Sequence, residues 1–176
     1  ESYGMEFMFR KKEGRLTGWV AYTLSWSKRH FDELNQGKTF YARFDRRHYL
    51  STVLMYDLND YLTFSAIWEF TTGSRFTAQN GQYLMPNASF TGVETIPIYT
   101  DRNAVQMAPS HRLDLNLIIK GTKKRKFDGE WHVGVYNFYN RATPYRINLE
   151  LTELGYRYTQ VGLFGLIPSI AYNFKF

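Results

Sequence analysis

The sequence has no cysteine, which excludes disulfides, thiolate metal centres and cysteine nucleophiles together. Long apolar runs are missing too. Nowhere do about twenty apolar residues follow one another, so no segment can cross a bilayer as a helix. Histidine is scarce: His30, His48, His111 and His132 are the only four, and no pair of them has metal-ligand spacing. Serines fall in turns or alternating stretches without a nucleophile elbow, so no enzyme chemistry is expected and no cofactor is implied. The residues from Glu1 onward do not read as a secretion leader. For a chain of the kind argued below, the leader is expected far upstream.

Aromatic residues are plentiful. They make up 18% of the 176 residues, with 14 Tyr and 14 Phe, yet the mean hydropathy is only −0.43. A membrane barrel produces this combination, because each strand shows lipid only every second side chain. Alternation is visible along the chain, as a strand requires. Near the end, Phe164, Leu166, Pro168, Ile170, Tyr172, Phe174 and Phe176 oppose Gly165, Ile167, Ser169, Ala171, Asn173 and Lys175, which are mostly small or polar. Upstream, Leu113, Leu115, Leu117 and Ile119 oppose Arg112, Asp114, Asn116 and Lys120. Leu62, Phe64, Ala66, Trp68 and Phe70 oppose Thr63, Ser65, Glu69 and Thr71. Val20, Tyr22, Leu24 and Trp26 make a third stripe, Leu50 to Tyr56 a weaker one, and Met5, Phe7 and Phe9 another. The stretch from Trp131 to about Glu150 is the least regular, and is expected to be one interrupted strand.

The gaps between these segments alternate in length. Lys12 to Arg15, Asp57 to Asp60 and Gly121 to Glu130 are short turns of residues that tolerate turn dihedrals. Lys28 to Asp45, Gly73 to Pro109 and a lesser stretch at Leu151 to Arg157 are longer. Outer-membrane barrels place short turns in the periplasm and long loops outside. The fold expected is therefore all-β, an antiparallel transmembrane barrel segment of about seven strands, with its C-terminus at the periplasmic rim. A soluble β-sandwich also alternates, but strands of ten residues exceed its usual length, and these apolar faces stay aromatic to their ends. Trp26, Tyr56, Tyr61, Trp68 and Trp131 are expected to form the two aromatic girdles. Basic clusters at Arg46–Arg47 and Lys123–Lys126 read as rim charge or partners of anionic head groups, not as a nucleic-acid site.

The ending Pro168-Ser169-Ile170-Ala171-Tyr172-Asn173-Phe174-Lys175-Phe176 resembles the closing strand of TonB-dependent outer-membrane receptors. Gly18 to Ser25, Arg47 to Leu50, Ser110 to Leu115 and Val135 to Arg141 also resemble family motifs, and the likeness covers nearly the whole chain. It implies membership of a larger barrel, about 22 strands closed by a plug domain, of which residues 1–176 would be the C-terminal part. It also implies active import of a bulky nutrient across a Gram-negative outer membrane, with Ile170, Tyr172, Phe174 and Phe176 as the signal read by the barrel assembly machinery. The partners implied are the remaining strands and plug, the TonB complex, lipopolysaccharide and a surface lipoprotein. Substrate contact would fall to the outer loop Phe76 to Arg102 with Glu69, Arg102, Arg112 and Asp114. Those charges equally suit a wall that balances itself, Arg112 against Asp114. A passive porin-like or structural barrel component is the alternative function.

Overall fold

The computed structural model describes residues 1–89, 91–121, 128–152 and 155–175. Its main sheet is a meander of seven antiparallel strands in the order β1 (Ser2–Lys11), β2 (Leu16–Arg29), β4 (His48–Asp57), β5 (Leu62–Thr71), β10 (Ser110–Lys120), β11 (Asp128–Tyr136) and β14 (Ile167–Lys175). A two-residue strand β3 (Phe40–Tyr41) pairs with the far end of β2. Among the described residues the only helical element is one 3-10 turn, Asn35–Gly37. The seven wall strands run from 9 to 14 residues, enough to cross a bilayer at a tilt.

The connections sort to two ends. Residues 12–15, 58–61 and 121–127 join strands at one end, and residues 30–47, 72–109 and 137–166 at the other. The first turn needs Gly14 with a φ of 90°, a dihedral that a side chain resists. In the second, Asn59 Oδ1 accepts the Tyr61 and Leu62 amides at 2.9 Å each, an Asx turn. The long connections carry their own hairpins: β7 (Gln79–Pro86) with β8 (Val93–Tyr99), and β12 (Thr143–Thr152) with β13 (Gly155–Leu163). The pair β6 (Arg75–Phe76) and β9 (Val105–Gln106) closes the base of the first hairpin.

Three sequence expectations need correction here. The stretch from Trp131 to Glu150 is not one strand. β11 stops at Tyr136, Asn137 and Asn140 turn the chain with φ of 53° each, and β12 belongs to a separate two-stranded sheet. Asparagine enters the left-handed region more easily than other side chains, so the break falls where the sequence has it. The last strand also starts at Ile167 rather than Phe164, whose φ of 50° lies outside extended backbone. The gap between β11 and β14 is thus a third long connection, and residues 151, 152 and 155 to 157, expected to lie in a loop, belong to β12 and β13 instead.

The wall pairs without a register shift across all seven strands. Partnered residues share a face, so the apolar stripes merge. One rank runs Phe7, Tyr22, Leu50, Phe70; another runs Phe64, Leu117, Val133, Ile170. This face is uncovered: Phe9 is 86% exposed and Ile170 70%. The buried apolar residues, Phe40, Ala42, Ala78 and Met107, all lie in the loops instead. The sheet is open. β1 and β14 end the path and run in the same direction, from the loop end to the turn end.

The β11–β14 pairing forms the last edge of the sheet across a long connection and can be tested directly, because the chain has no native cysteine. Val133→Cys with Ile170→Cys, which are Cα partners, should cross-link in the assembled protein on mild oxidation. Val133→Cys with Asn173→Cys should not, because a disulfide tolerates Cα separations only up to about 7 Å. The reverse outcome, read by gel shift, would displace the register.

Candidate functional site

The opposite face of the sheet is polar and carries the charges. In β5 and β10, Glu69 and Arg112 are Cα partners, and the guanidinium reaches three groups at once. Arg112 Nη2 donates to Glu69 Oε2 at 2.9 Å, Nε to Asp114 Oδ2 at 2.9 Å, and Nη1 to the Tyr136 hydroxyl at 2.8 Å. Its carbon also stands 4.3 Å from the Tyr136 ring centre. Three of the four substrate-contact candidates therefore engage one another. Two carboxylates around one guanidinium leave a net negative charge, which an arginine holds in fixed geometry better than a lysine would. Asp114 does a second job: its Oδ1 accepts the Asn137 amide at 2.8 Å, which ties the wall cluster to the start of the last long connection.

Arg102, the fourth candidate, lies elsewhere. Its amide donates to Asn35 Oδ1 at 2.8 Å and its guanidinium sits 5.5 Å over the Phe40 ring. Arg102 therefore joins the two long loops 30–47 and 72–109. Asn103 completes the seam, donating from Nδ2 to the Tyr41 carbonyl at 2.8 Å. Beneath it lies Asp45, 2% exposed. Its Oδ1 accepts the Ser27 amide at 2.7 Å and its Oδ2 accepts Arg75 Nε at 3.1 Å, with Arg47 Nη2 at 3.5 Å.

Asn137, 1% exposed, is the third anchor. Its Nδ2 donates to the Arg141 and Phe164 carbonyls at 2.8 and 2.9 Å, and its Oδ1 accepts the Arg141 amide at 3.0 Å. Asn140 Oδ1 accepts the Leu166 amide at 2.9 Å. The two ends of the 137–166 connection are thereby tied to each other, and Asp114 holds its start to β10. Tyr158 reaches back to the Gln79 carbonyl, so the β12–β13 hairpin touches the base of β7.

The five girdle residues all lie on the apolar face or at a turn. Trp26 stacks on Tyr3 at 5.2 Å near the loop end, and Trp68 on Phe70 at 6.2 Å. Trp131 meets Tyr172 at 4.6 Å near the turn end, with Gly129 alongside. A Cβ at 129 would collide with the Tyr172 ring, so glycine there makes room for the aromatic pair. Tyr56 and Tyr61 are exposed, 42% and 51%, at the same end. Of the four residues expected to form a terminal assembly signal, Ile170, Tyr172 and Phe174 share the apolar face with Val133, Trp131 and Gly129, while Phe176 lies outside the described residues.

On the inner face sequence reasoning noted Val53 but passed over its neighbours. Trp19, Val53 and Ile67 are successive cross-strand partners, and the rank continues to Asp114. An apolar strip thus abuts the charged cluster on the more polar side. The signal was present in the sequence, since Trp19 has the opposite parity to Val20.

No family model, curated protein or solved structure matches this chain.

Asp45→Ala should free the loops, because it leaves two largely buried guanidinium groups without their carboxylate. Breaking such a buried pair costs about 3–5 kcal/mol, and trypsin should then cut within residues 30–47 faster than in the wild type. Unchanged cleavage would mean that the loop seam does not depend on Asp45. Asn137→Ala removes the side-chain bonds at a buried site, at about 1–3 kcal/mol, measurable by denaturant titration.

Proposed function

We propose that the chain is part of the wall of a transmembrane β-barrel in a Gram-negative outer membrane, and that the barrel imports a bulky nutrient with energy delivered through TonB. The observation that carries this reading is the uncovered apolar face. In a soluble sandwich a second layer would bury it; here the described residues offer none, and the only buried apolar side chains are in the loops. Lipid in that position makes a second layer unnecessary. The unshifted seven-strand register and the sorting of turns and loops to opposite ends fit the same reading, as does the resemblance of the closing strand to TonB-dependent receptors. On this reading the short turns are periplasmic, the loop seam faces outside, and the inner face lines a wet lumen.

The free edges of β1 and β14 need partners, because unpaired backbone groups cannot stand in hydrocarbon. These two strands run in the same direction, so pairing them directly would put one parallel ladder into an antiparallel wall. An odd number of further strands avoids this and restores the even count of bacterial barrels. Those strands, a plug and the TonB contact would come from outside residues 1–176. The mixed inner surface of Trp19, Val53 and Ile67 beside Glu69, Arg112 and Asp114, together with the loop hairpins, suits contact with a large ligand that is partly polar. Ferric siderophores, glycans, peptides and vitamins all have that character. A passive channel built on the same wall is the competing function.

Membrane placement is tested by face. In bilayers of brominated lipid, a variant keeping only Trp131 should lose most of its fluorescence, while one keeping only Trp19 should lose little; equal quenching would reject the assignment of faces. Ile170→Arg should destabilise the inserted protein by about 2–4 kcal/mol, the cost of a cation near the bilayer midplane, and Ala171→Arg by clearly less. Energy coupling is tested in the producing cell with a labelled panel of a ferric siderophore, an oligosaccharide, a vitamin and a peptide. A protonophore should abolish accumulation of whichever probe depends on this protein. Uptake that continues would favour the passive channel.

A further inference from the structure

Where the apolar face of the wall meets the loops, cations and rings stack. Trp26 closes the apolar row of β2, and Tyr41 is the partner of Lys28, the next position in that row. The Arg47 guanidinium stands 4.5 Å from the Trp26 ring and 5.7 Å from Tyr41, Arg75 stands 3.8 Å from Tyr41, and Lys28 Nζ 6.0 Å from it. Around these three cations the carboxylate of Asp45 is the one counter-charge among the described ion pairs, leaving two positive charges unmatched. Arg47 Nε is buried and has no hydrogen-bond partner. On the same loop Arg43 and Arg46 are exposed, and Phe44 between them is 72% exposed.

We propose that this stack binds the phosphate of an anionic lipid head group whose acyl chains lie on the apolar face below it. The inference rests on reading that face as lipid-facing. A guanidinium stacked on a ring keeps its edge donors free for a planar or tetrahedral oxyanion. Arg47 and Arg75 each spend one nitrogen on Asp45, and their other guanidinium nitrogens remain for the phosphate. The position of the stack selects a lipid over free phosphate. It sits directly above Tyr22 and Leu24 in the same row, so a molecule joining phosphate to hydrocarbon satisfies both surfaces at once. Inorganic phosphate would satisfy only the cations and would still lose its hydration. The protruding Phe44, flanked by two arginines, repeats the same pairing of apolar and cationic groups one step further out.

The experiment uses the full-length protein purified from its own outer membrane, stripped of lipid in detergent and titrated under native mass spectrometry. The probes are bisphosphorylated lipid A, its dephosphorylated counterpart and inorganic phosphate. Wild type should retain lipid A in preference to the dephosphorylated form. Arg47→Gln should weaken that retention about fivefold, as expected for one cation at a head group. The double variant Lys28→Gln/Arg43→Gln should also weaken it; it spares Asp45 and its two arginines, so it reads the site even where Arg47→Gln fails to fold. Equal retention by wild type and the double variant would overturn the proposal. Displacement of lipid A by an equal concentration of inorganic phosphate would make this a free-anion site and overturn the choice of a lipid. Bromolipid quenching of the variant keeping only Trp131, reconstituted in bilayers, separates the two readings: quenching there with no lipid A preference in the wild type removes this site alone, and absence of quenching removes the lipid-facing wall beneath it.

Discussion

Everything in this molecule depends on register. A strand presents its side chains alternately to two sides, so a slip of one residue at any of the six wall pairings would exchange the faces of every strand beyond it. None occurs in the wall, whereas each of the two loop hairpins carries a shift, between Pro144 and Arg146 and between Gln79 and Gly81. Irregularity is confined to the places where no continuous face has to be maintained. Within the wall, the unbroken pairing turns seven separate stripes into one apolar surface and one polar surface.

The two surfaces are held by different forces. On the apolar side there is almost nothing for a side chain to pack against except its ranked neighbours, such as Trp131 against Tyr172. Cohesion there comes from backbone ladders and from whatever solvent covers the face. The loops are held by polar groups taken out of water: Asp45 under two guanidinium groups, and Asn137 with every polar atom of its amide engaged. Asp114 belongs to both worlds, balancing Arg112 in the wall and accepting the Asn137 amide at its rim.

Period two made the wall legible in the sequence, and turn chemistry located the short connections. The error at residues 137–150 shows the limit of that reasoning. Val135-Tyr136-Asn137-Phe138-Tyr139 continues to look like a strand, and only the left-handed backbone of Asn137 and Asn140 ends it. Both asparagines and Pro144 stand in the sequence, but the alternation of Val135, Tyr136, Phe138 and Tyr139 around them masks the break. The contacts of Asp45 and Arg102 were beyond reach for another reason. Arg75 and Asp45 lie 30 positions apart and Arg102 and Asn35 lie 67 apart, in segments without periodicity, so no local pattern announces the pairing. The inner-face engagement of Glu69 with Arg112 was half legible. Parity put them on one side, but it took the register to set them opposite each other.

The double pinning of residues 137–166 also bears on how such a chain can diverge. Asn137 and Asn140 bind the two ends of that excursion to each other, and Asp114 and Leu113 hold its start to β10, so the hairpin between them hangs from a closed base. Doubling the length of such an insert adds only about 0.6 kcal/mol of closure entropy, and no rank of the wall senses the exchange. Descendants of one scaffold can thus acquire new loop ends by trading these inserts, while the seven-stranded sheet beneath stays unaltered.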